Sequence, residues 1–286
     1  MTVPALPALP PGERQALAAA ILQLERPSFI ARIAQLAGTP VDAVVKYLPG
    51  AVSRRLRNAV KTAMFRCLDI AINSLDEEEY VIGAPEWAGK LMTGLTGGVG
   101  GFFGPLALPF ELPLTTTLML RSIAEIAREE GEDMATVEAR LACLEVFALG
   151  GGPDRGGIGP EQLTLEYYGV RTVLSTLTRD VARHMMERGA LHASSPILAR
   201  LIGEIVGRFG LVLTDRITAG FVPVIGAVGG ATVNMIFMDH FQRVARGHFT
   251  VRRLERQYGA ARIRRVYEKA AARLGNGRRP ALAKVQ

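Results

Sequence analysis

The chain has 286 residues, 49% of them apolar and 21% charged, which is enough to bury a sizeable core in one domain or in a domain plus a small appendage. Its only cysteines, Cys67 and Cys143, stand in no CxxC or Cys/His spacing, so neither a disulfide framework nor a zinc site is suggested and a reducing cytoplasm fits. The formal charge of +7 is uneven: from Arg243 to Gln286 there are 13 Lys and Arg against 2 Asp and Glu, a balance that asks for an anionic partner, either phospholipid or nucleic acid.

Residues 1–12 hold Pro4, Pro7, Pro10 and Pro11 and read as a disordered lead. They lack a basic n-region, and the prolines break any apolar h-region, so no export signal is expected. Residues 13–50 read as an N-terminal helical extension, with short helices at 12–25, 28–37 and 40–48. Thr39 before Pro40 makes a cap and first-turn pair for the third of these. A longer helix is expected over 52–75. Residues 51–275 are expected to form the main helical domain, and 276–286 a disordered basic tail. Period-two alternation of β-branched residues is almost nowhere present, so no sheet is expected and the fold class is all-α.

In the central part Leu120, Ile123, Ile126 and Ala127 share one helical face while Arg121, Glu125 and Arg128 share another. Asp133 is the expected cap of the next helix, on which Val137, Leu141, Leu144 and Ala148 recur before the stop at Gly150–Gly152. Leu163, Tyr167, Val170, Leu174, Leu177 and Val181 then alternate by four and three, a seam for packing on another helix. Between these helices Asp154–Pro160 is a loop that resembles a phosphate-binding loop in glycine content alone, since the GKS or GKT end is missing.

Two segments carry no charge, Leu91–Phe110 and Ile217–Met238. Twenty helical residues span about 30 Å, so length alone permits a membrane crossing. The first segment, however, holds six glycines and two prolines, each costing about 1 and about 3 kcal/mol in a helix interior. Gly94/Gly98, Gly97/Gly101, Gly100/Gly104 and Gly226/Gly230 instead form GxxxG pairs that let two backbones approach closely. Three readings stay open: buried hairpins at the centre of a compact bundle, re-entrant hairpins, and true spans. If lipid or a partner is met here, the contacting residues are Gly97, Gly101, Phe102, Phe103, Phe221, Val224 and Ile225, with Trp87 as an interfacial anchor.

The helices that follow the two segments are self-similar at an offset of 118 residues, LMLRSIAEIA against IFMDHFQRVA, with the charges exchanged. A pseudo-symmetric pair would join Arg121 to Asp239 and Glu125 to Arg243 across an interface. The alternative is a local i,i+4 pair on each helix, Arg121–Glu125 and Asp239–Arg243.

Three long blocks in order, GGVGGFFGPLALPFELPLTTTLMLRSIAEIA, RLACLEVFALGG and FVPVIGAVGGATVNMIFMDHFQRVARGHFTVRRLERQYG, resemble the EcsC family of bacterial proteins over about residues 55–270. The family is named for a gene beside an ABC transporter and has no settled biochemical activity. The resemblance therefore implies a bacterial protein of the cytoplasm or inner membrane and transfers no catalytic residue.

The best candidates for chemistry are Asp239 and His240, with Asn234 and Glu111, because ionisable groups beside apolar runs tend to have perturbed pKa values. Adjacent helical residues diverge by about 100 degrees, so Glu111 rather than Asp239 would orient His240 as a base. No GxSxG or HExxH spacing is present. Thr115, Thr116 and Thr117 are read as capping or bonding back to the previous turn rather than as an anion site. After Gly247, Thr250 is expected to cap a short helix to Tyr258, followed by a basic amphipathic helix from Ala260 to Leu274. Arg252, Arg253, Arg256, Arg264, Arg265 and Lys269 are the expected contacts to an anionic leaflet; no aromatic platform or nucleic-acid motif accompanies them.

The resulting expectation is a compact helical bundle around two glycine-rich hairpins, with no metal and no cofactor. It would act as an accessory or interaction protein on the cytoplasmic face of the bacterial inner membrane, where an anionic lipid surface and a membrane protein would be its partners. Two alternatives stand beside it: an enzyme, hydrolase or transferase, acting on a lipid-like substrate, and a soluble helical protein holding an apolar small molecule.

Overall fold

The computed structural model describes residues 9–25, 50–73, 108–151, 166–189, 195–220 and 230–275. Among them there are eight helices and no strand: α1 (Pro11–Leu24), α2 (Gly50–Asn73), α3 (Leu108–Glu129), α4 (Val137–Leu149), α5 (Glu166–Arg188), α6 (Pro196–Gly220), α7 (Gly230–Tyr258) and α8 (Ala260–Gly275). The all-α expectation holds. The helices expected at 28–37 and 40–48 and the loop at 154–160 lie outside the described residues. So do Trp87, Gly97, Gly101, Phe102, Phe103, Phe221, Val224, Ile225 and the tail at 276–286.

α4 is the hub. It packs against α2, α3, α5, α6 and α7, and every residue from Ala139 to Ala148 is buried. A helix enclosed on all sides needs apolar side chains around its whole circumference rather than a stripe, and VEARLACLEVFAL supplies them except at the exposed first-turn Glu138, at Arg140 and at Glu145. Arg140 lies at the rim and donates to the Met134 and Ala135 carbonyls. The expected cap at Asp133 moves three residues on: Thr136 is the N-cap and accepts from the Ala139 N–H at 3.3 Å. Asp133 instead accepts from the Ala135 N–H, a local turn that sets Thr136 in place.

At the C-terminal end of α4, a Cβ on Gly150 would lie 2.4 Å from the Phe241 ring, and His240 Nε2 meets the Gly150 carbonyl at 2.8 Å. The stop expected there is therefore also a point of close approach to α7. Phe147, Phe209, Phe237 and Phe241 interlock around it with ring centroids 5.0–6.3 Å apart. This is the centre of the main core.

α7 corrects one expectation. It runs unbroken through Gly247 and Thr250, which are interior positions and not a stop and a cap. The glycine has a tertiary reason: a Cβ there would stand 2.9 Å from Leu24 Cγ and 3.1 Å from the Ala20 carbonyl oxygen of α1. Thr250 donates to Glu130 at 2.9 Å. The expected extension is thus built in at its first helix, since α1 places Leu17, Ala20 and Ile21 in a second core with α8 and the C-terminal half of α7. The lead also reaches this core, because Leu9 is buried in it. Gly247→Val should pry α1 from α7, so limited proteolysis should cut within α1 faster than in the wild type while α4 stays protected; equal cutting rates would show that the close approach is dispensable.

α3 and α7 lie side by side and run parallel. Gln242 bonds Ser122, Thr250 bonds Glu130 and Arg252 bonds Glu132, each pair separated by 120 residues. A constant separation is the signature of parallel pairing. The two self-similar helices therefore do meet, in a register of 120 rather than 118. Their charges take the local pairs, Arg121–Glu125 at 3.6 Å and Arg243–Asp239 at 3.0 Å, in place of the exchanged ones. An i,i+4 pair orders only one helix's side chains, and the two-residue difference in register moves the exchanged partners off level.

Gly259, with φ +89°, turns the chain from α7 into α8. α8 folds back: Arg264 stacks on Tyr168, whose hydroxyl bonds Glu255, while Tyr267 lies on Tyr167, whose hydroxyl bonds His248. Among the described residues no helix is long and apolar enough to cross a membrane.

Candidate functional site

The residues expected to carry chemistry are committed to structural partners. His240 binds the Gly150 carbonyl, and Asp239 pairs with Arg243. Glu111 falls in the first turns of α3, and its side chain and that of Asn234 lie outside the description. Thr116 and Thr117 donate to the Leu112 and Pro113 carbonyls, the back-bonding expected of them, within a helix that Pro113 has deprived of one N–H.

Three of the six basic residues expected to meet lipid point into the protein. Arg252 holds Glu132 through two nitrogens at 2.8 and 3.0 Å. Arg253 joins Glu130 to Glu13 of α1, and Arg256 reaches Glu132 and the Glu130 carbonyl. Burial acts to raise the Glu132 carboxyl, yet the bonds and charges of Arg252 and Arg256 together hold it below the usual range. Arg264 pairs with Glu268 on its own helix, and Arg265 and Lys269 lie on the exposed side of α8.

The least expected group lies deeper. Glu145, in the middle of α4, is 0% exposed, and so is His248 of α7. Thr178 of α5 donates to Glu145 Oε1 at 2.6 Å, and the Tyr167 hydroxyl of α5 meets His248 Nδ1 at 3.0 Å. Glu145 Oε2 and His248 Nε2 face each other at 4.0 Å, and among the described residues neither atom has a hydrogen-bond partner. Burial pushes the Glu145 carboxyl up and holds the His248 imidazole well below its ordinary value. Burial thus works against an ion pair at this approach.

A second polar layer lies over this pair. Glu255 of α7 takes both terminal nitrogens of Arg171 and the Tyr168 hydroxyl, while Arg171 lies 5.7 Å over the Tyr167 and Tyr168 rings. Tyr267 of α8 stacks on Tyr167 at 5.3 Å and donates to Glu25. Among the described residues no group of three or more His, Cys, Asp or Glu could hold a metal ion.

Glu145, His248 and Tyr167 had one signal in the sequence. LACLEVFAL is a single carboxylate in an otherwise apolar run, and GHF sits where α7 has lost its charges between Arg246 and Arg252. Nothing local shows that the two runs meet.

A search of the curated proteins found no match to this chain. None of the solved structures matches it either. Residues 15–254, from within α1 to the last turns of α7, match the EcsC protein family, a span that starts earlier and ends sooner than the three blocks suggest, and with that coverage the chain belongs to the EcsC protein family.

Proposed function

We propose that the protein is an accessory or interaction protein of the cytoplasmic face of the bacterial inner membrane, and that it meets lipid with its uncharged end. The observation that carries this reading is the level of the two uncharged segments. In the parallel register of α3 and α7, residue 110 lies level with Gly230, so Leu91–Phe110 and Ile217–Met238 lead into the two helices at the same end. The ion pairs around Arg252 lie 22 residues further along α7, about 33 Å away at 1.5 Å per residue. That network therefore lies toward the opposite end of α7 from the uncharged segments.

Two exposed apolar side chains support the same reading. Met235 is 65% and Leu211 36% exposed, each two residues from a member of the interlocked pair Phe237 and Phe209. Arg265 and Lys269, on the exposed side of α8, lie level with the His248 part of α7, roughly 27 Å from Gly230, so they add Coulomb attraction to anionic head groups when α7 lies along the surface rather than end-on.

Flotation with lipid vesicles tests this. The protein should rise with anionic vesicles and more weakly with zwitterionic ones. A portion should survive a high-salt wash. Arg265→Glu together with Lys269→Glu should weaken anionic binding by at least roughly 30-fold, at about 1 kcal/mol per charge lost. A protein that stays at the bottom of the gradient with every vesicle would end the membrane reading. Complete release by salt would remove lipid contact by the uncharged end.

A further inference from the structure

We propose that Glu145, His248 and Tyr167 form a proton-sensitive clasp between α4, α5 and α7, which gives up one proton as a unit, inverts the imidazole tautomer and draws α7 onto α4.

The geometry leaves one contact made and one unmade. α7 runs antiparallel to α4 and is fastened at His240, which bonds the Gly150 carbonyl at 2.8 Å. Two turns later it faces α4 again at His248, where Oε2 of Glu145 is 4.0 Å from Nε2. That is about 1 Å beyond a hydrogen bond. Buried polar atoms without partners are rare and costly, and two that face each other can be satisfied by one proton between them.

Which nitrogen carries the proton depends on Glu145. With a neutral carboxyl, Oε2–H donates to Nε2, and the imidazole must then hold its proton on Nδ1 and donate to the Tyr167 oxygen. With a carboxylate, Nε2–H donates to Oε2, and the Tyr167 hydroxyl donates to Nδ1. Between these states the carboxyl proton passes to Nε2, the Nδ1 proton leaves, and the trio is one proton poorer. No imidazolium is formed in either state. The carboxylate form carries the shorter, charge-assisted bond and so the tighter seating of α7.

The surroundings bias the trio in both directions. Burial favours the neutral carboxyl, while the bond from Thr178 of α5, then Arg252 of α7 and Arg171 of α5, favour the carboxylate, the two arginines also opposing any imidazolium; Glu138 of α4 acts the other way on the carboxyl. Glu132, in the turn after α3, ties down Arg252, and Glu255 ties down Arg171. Tyr167 is held protonated by burial. The thiols of the same core, Cys67 of α2 and Cys143 of α4, are pushed up to about 12 by burial and stay neutral.

The test is nitrogen NMR of the full chain labelled in histidine, followed across pH, with His248 assigned through His248→Gln. In the wild type the proton should move from Nδ1 to Nε2 as pH rises, with no imidazolium signal for this ring. Glu145→Gln, whose amide can donate to Nε2 at any pH, should hold the Nδ1–H tautomer throughout. Stability gives an independent reading. The raised carboxyl costs stability as pH rises above 4.5, while the depressed imidazole adds stability up to 6.5, so the two offset between these values; above 6.5 the pair's contribution to the wild-type unfolding temperature should decline, and Glu145→Gln should lose that decline. A wild-type ring that keeps one tautomer or becomes imidazolium would overturn the proposal, as would inversion in Glu145→Gln.

Discussion

Glu255→Ala should lower the free energy of unfolding by about 3–5 kcal/mol, measured by urea denaturation. The Arg171 and Glu255 side chains are only 12% and 11% exposed, and the carboxylate also accepts from Tyr168 at 2.8 Å. Removing it leaves a buried guanidinium that, among the described residues, keeps the faces of two tyrosine rings but no carboxylate bond. Losing one partner of a buried pair costs far more than the pair is worth, because the remaining charge still lacks water. Glu255→Gln should fall between the two, since its amide oxygen can still accept a bond while the charge is gone. Glu268→Ala is the matched control: it removes an i,i+4 partner from Arg264 on the exposed side of α8 and should cost less than about 0.5 kcal/mol. Similar losses for the two alanine variants would mean that the layer over Tyr167 is solvated.

Phe241→Ala should cost a similar amount, about 3–5 kcal/mol, through a cavity at the centre of the main core. The ring is fully buried and lies 5.2–5.7 Å from those of Phe147, Phe209 and Phe237. Its second neighbour is absence of a side chain at Gly150. Gly150→Ala alone should cost about 1–3 kcal/mol by overpacking, since a ring enclosed by three others has little room to yield. In the Phe241→Ala background the same change should cost much less, because the atoms it strikes are gone. A double-mutant cycle reads the coupling directly. Strict additivity would show that the glycine serves the backbone at the end of α4 and not the ring.

Where helices lie was legible in the chain, and what each meets was not. Periodicity and glycine placement marked out α2, α4, α5 and α8 to within a few residues, because those signals are local. Gly247 misled for the same reason. A glycine in a helical pattern reads as a stop when nothing shows that α1, more than 200 residues earlier, lies against it. The charge pairs of α3 and α7 were legible as i,i+4 pairs for the opposite reason, that their partners are one turn away. Glu145 was hidden because a carboxylate at the edge of the Leu141–Leu144–Ala148 stripe reads as one that can turn out to water, and α4 has no solvent side there. Arg252, Arg253 and Arg256 read as a basic surface since their partners, Glu132, Glu130 and Glu13, are remote in sequence.

The fixed spacing of 120 residues between α3 and α7 bears on how the chain matures. Two helices that run the same way cannot be joined by a short link, and here the return path contains α4, α5 and α6. As synthesis proceeds, Glu130 and Glu132 are ready long before Arg252 and Arg253 leave the ribosome. Until then half of the scaffold waits with its acidic corner unneutralised and one flank of α3 uncovered, a state of high contact order that invites a chaperone.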